Sequence, residues 1–361
     1  MKSERSPGLY GLKNSNRDFT DAFYWGKNQF NSSFPTALCC YMRDRHHPAV
    51  FVSSNGKGTS ISNIGFDKIF GSKKSNGGLQ FDFEDTFEPY REHVNDALAK
   101  IDLIVKDANT GAPLAPIEIK LTVLPDDGTS SLNESEYGSE IVVRSPTTRY
   151  IALGIAHRVS QKGRARIREL LEPVCGDIGS DWESVRAMRS CRKGIFDAME
   201  VLEAEFHKLQ KPLLLQPIWK TIGKKPILAK NCLDIFAWSD FALLRMILDM
   251  CHPRMAESPD KISRPQRAIL RMARFLYEFS LGGKVYQNRI YDGMTYGNLG
   301  DKEFAISGLR TRKYMRCERL KKPIITKDEI KNIVLGGGQK FLSPERRFDA
   351  ILFFTKELFD E

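Results

Sequence analysis

No two cysteines in this chain stand at C-x-x-C spacing. The seven present, at positions 39, 40, 175, 191, 232, 251 and 317, are odd in number and scattered. That excludes a disulfide framework or a zinc ribbon and predicts free thiols. His46 and His47 precede Pro48 without a second ligand pair at metal spacing, so they predict a loop rather than a zinc site. The phosphate-cradling pattern G-x-x-x-x-G-K-[ST] is also missing, even though residues 53–59 and 71–78 are polar and Gly-rich, so ATP-driven function has no support. No apolar run is long enough to span a bilayer, and the stretch from Met1 to Pro7 has no apolar leader segment. The expectation is a cytoplasmic protein without a membrane partner. Internal repeats and extended low-complexity tails are absent as well.

What the chain does have is length and an uneven charge. At 361 residues with 41% hydrophobic content it can bury a substantial core, as one large or two intimately packed domains. The net charge of +10 is not evenly spread: residues 1–150 carry 17 Lys and Arg against 19 Asp and Glu, and residues 151–361 carry 38 against 26. A polyanion is the natural partner for the second part, and nucleic acid is the commonest polyanion. A generally basic protein fits the same numbers.

The strongest chemical signal is Ile101-Asp102-Leu103-Ile104-Val105, followed by Ile117-Glu118-Ile119-Lys120-Leu121. Residues two apart on a strand share a face, so Glu118 and Lys120 stand opposite Ile117, Ile119 and Leu121, and Asp102 stands apart from Ile101, Leu103 and Val105. Between them, residues 107–113 supply Asp, Asn, Gly and Pro, which predicts a turn and an antiparallel hairpin. Folding back near Gly111 brings Asp102 opposite the Glu118 region, one strand spacing of roughly 5 Å away. Two carboxylates with an open side can hold Mg²⁺, which keeps several waters and accepts phosphate oxygens. Such a metal polarises a scissile phosphate and lowers the pKa of a bound water. Lys120 would orient or deprotonate the attacking water, and Ile119 offers a backbone carbonyl as a further oxygen ligand. The same local pattern also describes polar residues on the solvent side of an ordinary hairpin.

Around this hairpin the chain reads as a mixed α/β core. Residues 1–33 are rich in Asn, Ser and Gly with interleaved aromatics, a composition that can contact adenine edges or phosphates or can form an irregular surface. A short helix is predicted over 34–42, strands within 50–80, a strand over 139–144, helices over 147–171 and 182–210, and a proline-bounded strand over 212–219. Further helices are predicted over 234–250 and 263–281. On the last, Arg267, Arg271 and Arg274 fall on one face, either a phosphate-facing ridge or a solvated side. Residues 282–308, rich in Gly and Tyr, suggest a β-meander or long loop. Residues 310–322 pack seven cations around one Glu, a candidate contact for the DNA backbone. Strands, helices and a further strand in this order match a mixed central sheet flanked by helices.

Asp102 followed by Glu118-x-Lys120 resembles the motif of the PD-(D/E)xK nuclease superfamily, with Ile101 where that motif loosely keeps Pro. The wider sequence resembles the HindVP-type Type II restriction endonucleases. This likeness rests on residues 11–19 and 25–35, on Lys100-Ile101-Asp102-Leu103, on Ile117-Glu118-Ile119-Lys120-Leu121-Thr122, and on Tyr137-Gly138-Ser139-Glu140-Ile141-Val142. These blocks lie within the first 150 residues.

The resemblance implies a restriction-endonuclease-like core with additional helical and β elements. It implies Mg²⁺-dependent cleavage of both strands of double-stranded DNA at a short palindrome, leaving 5′-phosphate ends. Asp102 and Glu118 would be metal ligands and Lys120 the catalytic lysine, with Glu88, Glu92 and Glu140 as candidates for a further acidic ligand. The palindrome associated with the HindVP group is the degenerate GRCGYC. A palindrome implies a homodimer with one active site per strand, and a cognate DNA methyltransferase protecting the same site. The expected organisation is a nuclease core with its Asn-rich segment over 1–230, and a basic helical and β region over 231–361 that binds DNA or dimerises. Two other readings share parts of this pattern: a nuclease of the same superfamily in repair or recombination, and a non-catalytic DNA-binding protein.

Overall fold

The computed structural model describes residues 46, 48–54, 59–70, 78–119, 145–159, 161–218, 220–222, 225–227, 234–251, 262 and 264–294. Lys120, Glu140, the Asn-rich segment, the helix expected over 34–42, the strand expected over 139–144 and the cation cluster at 310–322 lie outside the described residues.

The hairpin forms where turn chemistry and alternation agree. Strands β1 (Ala49–Ser54), β2 (Thr59–Ile64), β3 (Leu79–Asp85), β4 (Ile101–Asp107) and β5 (Pro113–Ile119) come first in the chain, with a short helix α1 (Phe66–Phe70) after β2. Between β4 and β5, the Asp107 carboxylate accepts from the backbone N–H of Asn109 at 3.0 Å and of Thr110 at 2.9 Å. Gly111 then takes a positive φ of 68°, a conformation that costs glycine little.

Helices α2 (Ser145–Arg158), α3 (Gln161–Cys175) and α4 (Val185–Phe206) follow, then β6 (Pro212–Ile218) and the small hairpin β7 (Lys220–Ile222) and β8 (Lys225–Ile227). The helix expected over 147–171 is thus two. Gly163 marks the corner, where an added Cβ would lie 3.0 Å from the Val159 side chain. α2 lies beside the sheet, with Tyr150 bonded to the Pro116 carbonyl of β5 and Gly154 close to Leu213 of β6, and α3 packs on α4 and a later helix.

The largest correction concerns residues 234–250. Their first third is a strand, β9 (Asp234–Ser239), and only then does helix α5 (Asp240–Cys251) begin. The run Ile235-Phe236-Ala237-Trp238 is short and apolar, and periodicity alone does not separate a central strand from a buried helix. Neighbours decide it: β9 pairs parallel with β1 and antiparallel with β6. Ser239 ends the strand and caps the helix, its hydroxyl accepting from Ala242 N–H at 2.9 Å.

The sheet order is β2-β1-β9-β6-β5-β4-β3. β5 joins β6 in parallel, and the β5-β4-β3 meander is antiparallel, so the sheet is mixed and flanked by helices. Its main core gathers Ile101 and Ile104 of β4, Leu213 of β6 and Trp238 of β9 with Ile151 and Ile155 of α2. Leu103, Val105 and Ile117 are buried outside that cluster, so the hairpin is covered on both faces.

Helix α6 (Arg264–Gly282) packs against α2, α3, α4, α5 and a last short helix, α7 (Gln287–Gly293). It is buried nearly all round, arginines included: Arg267, Arg271 and Arg274 are 0%, 5% and 5% exposed. They form neither a solvated face nor a phosphate-facing ridge. Arg271 donates to the carbonyls of Tyr291 and Met294 at the end of α7, and Arg274 donates to Glu278 at 2.8 Å while lying 5.7 Å over the Trp182 ring. α7 also corrects the expectation of a loop or meander from residue 282 onward.

Candidate active site

Leu103 of β4 lies opposite Ile117 of β5 in an antiparallel register. One further step of that register sets Asp102 opposite Glu118, so the two carboxylates occupy neighbouring positions on adjacent strands, roughly 5 Å apart. Glu118 is also fixed from its other side, where it pairs with Leu214 in the parallel β5/β6 ladder. Its side chain is only 7% exposed, and Asp102 is half-buried. A solvated hairpin face does not describe this arrangement, because Glu118 is shielded from water.

Glu118 lines a small pocket between the start of β4, the 3-10 turn Glu88–His93 and α2. Its free volume is about 20 Å³, room for one water or one ion. Phe87, Tyr90, Ile101, Tyr150 and Leu153 make the apolar and aromatic wall. Lys100 and Arg149 are its cationic members.

Tyr150 ties the wall to the carboxylate strand, its hydroxyl donating to the Pro116 carbonyl two residues before Glu118. Burial pushes the Tyr150 phenol well above its ordinary pKa, and Tyr90, Glu118 and Asp102 push in the same direction. The tyrosine therefore stays protonated beside both carboxylates and keeps donating. Tyr90 is pushed up to about 12, again by burial. Behind it, His93 and His157 face each other at 3.1 Å, and burial followed by the neighbouring imidazole takes His93 down to about 4.

Among the described residues no group of three or more His, Cys, Asp or Glu side chains is placed to hold a metal ion. The pair itself suits a hard divalent cation, since Mg²⁺ is commonly held by one or two carboxylates and retains waters in its other positions. Glu88 and Glu92 are exposed and do not line the pocket. Glu88 instead accepts from Thr86 at 2.8 Å and faces Arg91 at 3.7 Å.

The structure thus brings Asp102 and Glu118 together as the hairpin reading expects. Sequence reasoning passed over Lys100, Arg149 and Tyr150. Lys100 stood inside a quoted motif without a role, and the helix that carries Arg149 and Tyr150 gives no sign in its spacing of where it docks.

A family profile described as HindVP restriction endonuclease matches residues 25–359. The chain is 38% identical over 355 residues to the Type II restriction enzyme HgiDI of Herpetosiphon aurantiacus, covering 98% of each chain. It is 37% identical over 353 residues to the probable type II restriction enzyme HindVP of Haemophilus influenzae, covering 98% of this chain and 95% of that one. No solved structure matches.

Proposed function

The chain belongs to the HindVP restriction endonuclease family, and from that premise we propose that the Asp102/Glu118 pair is the catalytic centre of its DNA cleavage. The protein is a Type II restriction enzyme, a site-specific deoxyribonuclease that acts on DNA. The observation that carries the assignment of the centre is the register of β4 on β5, which pairs the two carboxylates beside a pocket at a covered part of the sheet.

In this reading the core is of the PD-(D/E)xK kind, and Asp102 and Glu118 hold Mg²⁺. When bound, the ion supplies positive charge to the scissile phosphate and acidifies a water. The protein's own part is to fix the ligands. The Asp107 turn sets the register, Tyr150 pins β5 through Pro116, and the apolar wall limits water and so strengthens local electrostatics. Lys120, two residues beyond Glu118, orients the attacking water or takes its proton. The products carry 5′-phosphate ends.

The target we favour is a short palindrome, GRCGYC by family association, whose degenerate positions suit readout of atoms such as purine N7 that both alternatives share. A two-fold site calls for a homodimer with one centre per strand, and a methyltransferase that modifies the same sequence. Residues 1–230 hold the nuclease centre. The basic region 231–361, whose described residues supply β9 to that sheet and helices α5, α6 and α7, makes DNA or dimer contacts. Among the described residues no helix is long and apolar enough to cross a membrane, and we place the enzyme in the cytoplasm.

The test is digestion of unmethylated phage DNA by the purified protein with Mg²⁺ or with EDTA, followed by sequencing of the ends. Discrete fragments formed only with Mg²⁺ and sharing one palindrome are expected. A smear of unrelated ends would point to a structure-directed nuclease, and intact DNA that is bound would remove the catalytic assignment.

A further inference from the structure

Resting on the nuclease reading above, we propose that Arg149 holds the phosphate of the bond being cut against the Asp102/Glu118 pair. The pocket joins one carboxylate, Glu118, to two cations, Lys100 and Arg149, within a mainly apolar wall. Two carboxylates balance a divalent ion, which leaves the two cations facing whatever enters with it. The pocket itself has room for a single ion, so a phosphodiester would lie across its mouth and share its oxygens between the metal and the guanidinium.

Arg149 is set for this by α7. Its Nη1 donates to Asn288 Oδ1 at 2.9 Å, and its guanidinium lies 4.7 Å over the Tyr291 ring. The same helix grips the segment leading into Lys100: Asn288 N–H donates to Asp96 at 2.6 Å, and Gln287 donates to the Ala97 carbonyl at 2.7 Å. α7 therefore holds Arg149 directly and anchors the segment that leads into Lys100. The Nε of Arg149 is buried without a hydrogen-bond acceptor, so the guanidinium keeps an unused donor that a small rotation of the side chain would offer to a phosphate oxygen. The next residue, Tyr150, is bonded to β5 through Pro116, which ties the arginine's backbone to the strand carrying Glu118.

An arginine that only tethers α7 to α2 would share the Asn288 and Tyr291 contacts, so the experiment has to separate anchoring from phosphate contact. Single-turnover cleavage is measured on a duplex carrying the site found by digestion. The scissile phosphate is either normal or replaced by each phosphorothioate diastereomer, and duplex binding without Mg²⁺ and thermal unfolding are followed alongside. Arg149→Lys keeps the charge and loses the planar fork. Expected for it are binding within about threefold of the parent, cleavage slowed by about a hundredfold, and loss of most of the parent's discrimination between the diastereomers. Cleavage at the parental rate would overturn the proposal, as would slower cleavage with discrimination intact.

If Arg149→Lys fails to fold, Asn288→Ala keeps the guanidinium and removes its support. A loss of about tenfold with weakened discrimination is then expected, and an unchanged rate counts against the proposal. A parent that does not cut with Mg²⁺, or a Glu118→Gln variant that still cuts, defeats the nuclease reading itself. A cutting parent, a dead Glu118→Gln and a fully active Arg149→Lys together defeat only this inference.

Discussion

The hairpin β4–β5 and the helix α6 both place charges on apolar elements, and the fold treats them in opposite ways. On α6 the arginines are buried and turned to internal use: Arg271 satisfies carbonyls of α7, and Arg274 meets Glu278 and the face of Trp182. On the hairpin the charges are gathered beside a pocket, with two carboxylates of like sign on neighbouring strands and two cations across from Glu118. Stability explains the first arrangement, because each charge meets acceptors that would otherwise be left unpaired. It does not by itself account for the second, where two carboxylates on adjacent strands stand beside a pocket that cations also line.

The contrast is sharpest in activity. Asp102→Asn and Glu118→Gln should each lower cleavage by about a thousandfold or more while leaving specific DNA binding intact, measured by single-turnover digestion and by gel shift. Both substitutions keep the size and shape of the side chain, so their unfolding midpoints should stay close to the parent's. A large drop in midpoint would dissolve the distinction between the two regions.

Arg271→Met should behave in the reverse sense. It strips two carbonyls of their donor and should cost about 3 kcal/mol in urea unfolding. Because Tyr291 also backs Arg149, the folded fraction should lose no more than about tenfold in cleavage, far less than the carboxylate variants.

A smaller effect is expected at Glu203, where burial raises the carboxyl to about 7 despite Arg245 at 3.8 Å. Its folded pKa lies above the ordinary 4.5, so the stability tied to its protonated form is full below that value and is lost as pH rises toward 7. Glu203→Gln should flatten the unfolding midpoint over that window. Smallest of all, Arg166→Ala breaks an exposed pair with Glu205 and should leave the midpoint unchanged within error.

The hairpin was legible in the sequence because its determinants are local. Asp107, Thr110 and Gly111 make the turn by themselves, and strand alternation carries Asp102 and Glu118 to matching positions. β9 was not legible, because Asp234 to Ser239 becomes a strand only through pairing with β1 and β6. The burial of the α6 arginines likewise depends on helices packed from several directions, and residue spacing reports one face at a time. Arg149 and Tyr150 reach the pocket through the docking of α2 on β5, a contact between residues more than thirty positions apart.

The place of β9 between β1 and β6 also sets an order of events during synthesis. A ribosome delivers β1 and the carboxylate hairpin early, yet β5 has no β6 to lie against until Ile218 has emerged, and β1 and β6 have no strand to join them until Ser239 has. Pairings so distant along the chain form late and slowly. The nascent chain therefore carries both carboxylates long before it has the frame that holds them, and under the proposed assignment DNA cleavage waits until the polypeptide is well past its midpoint.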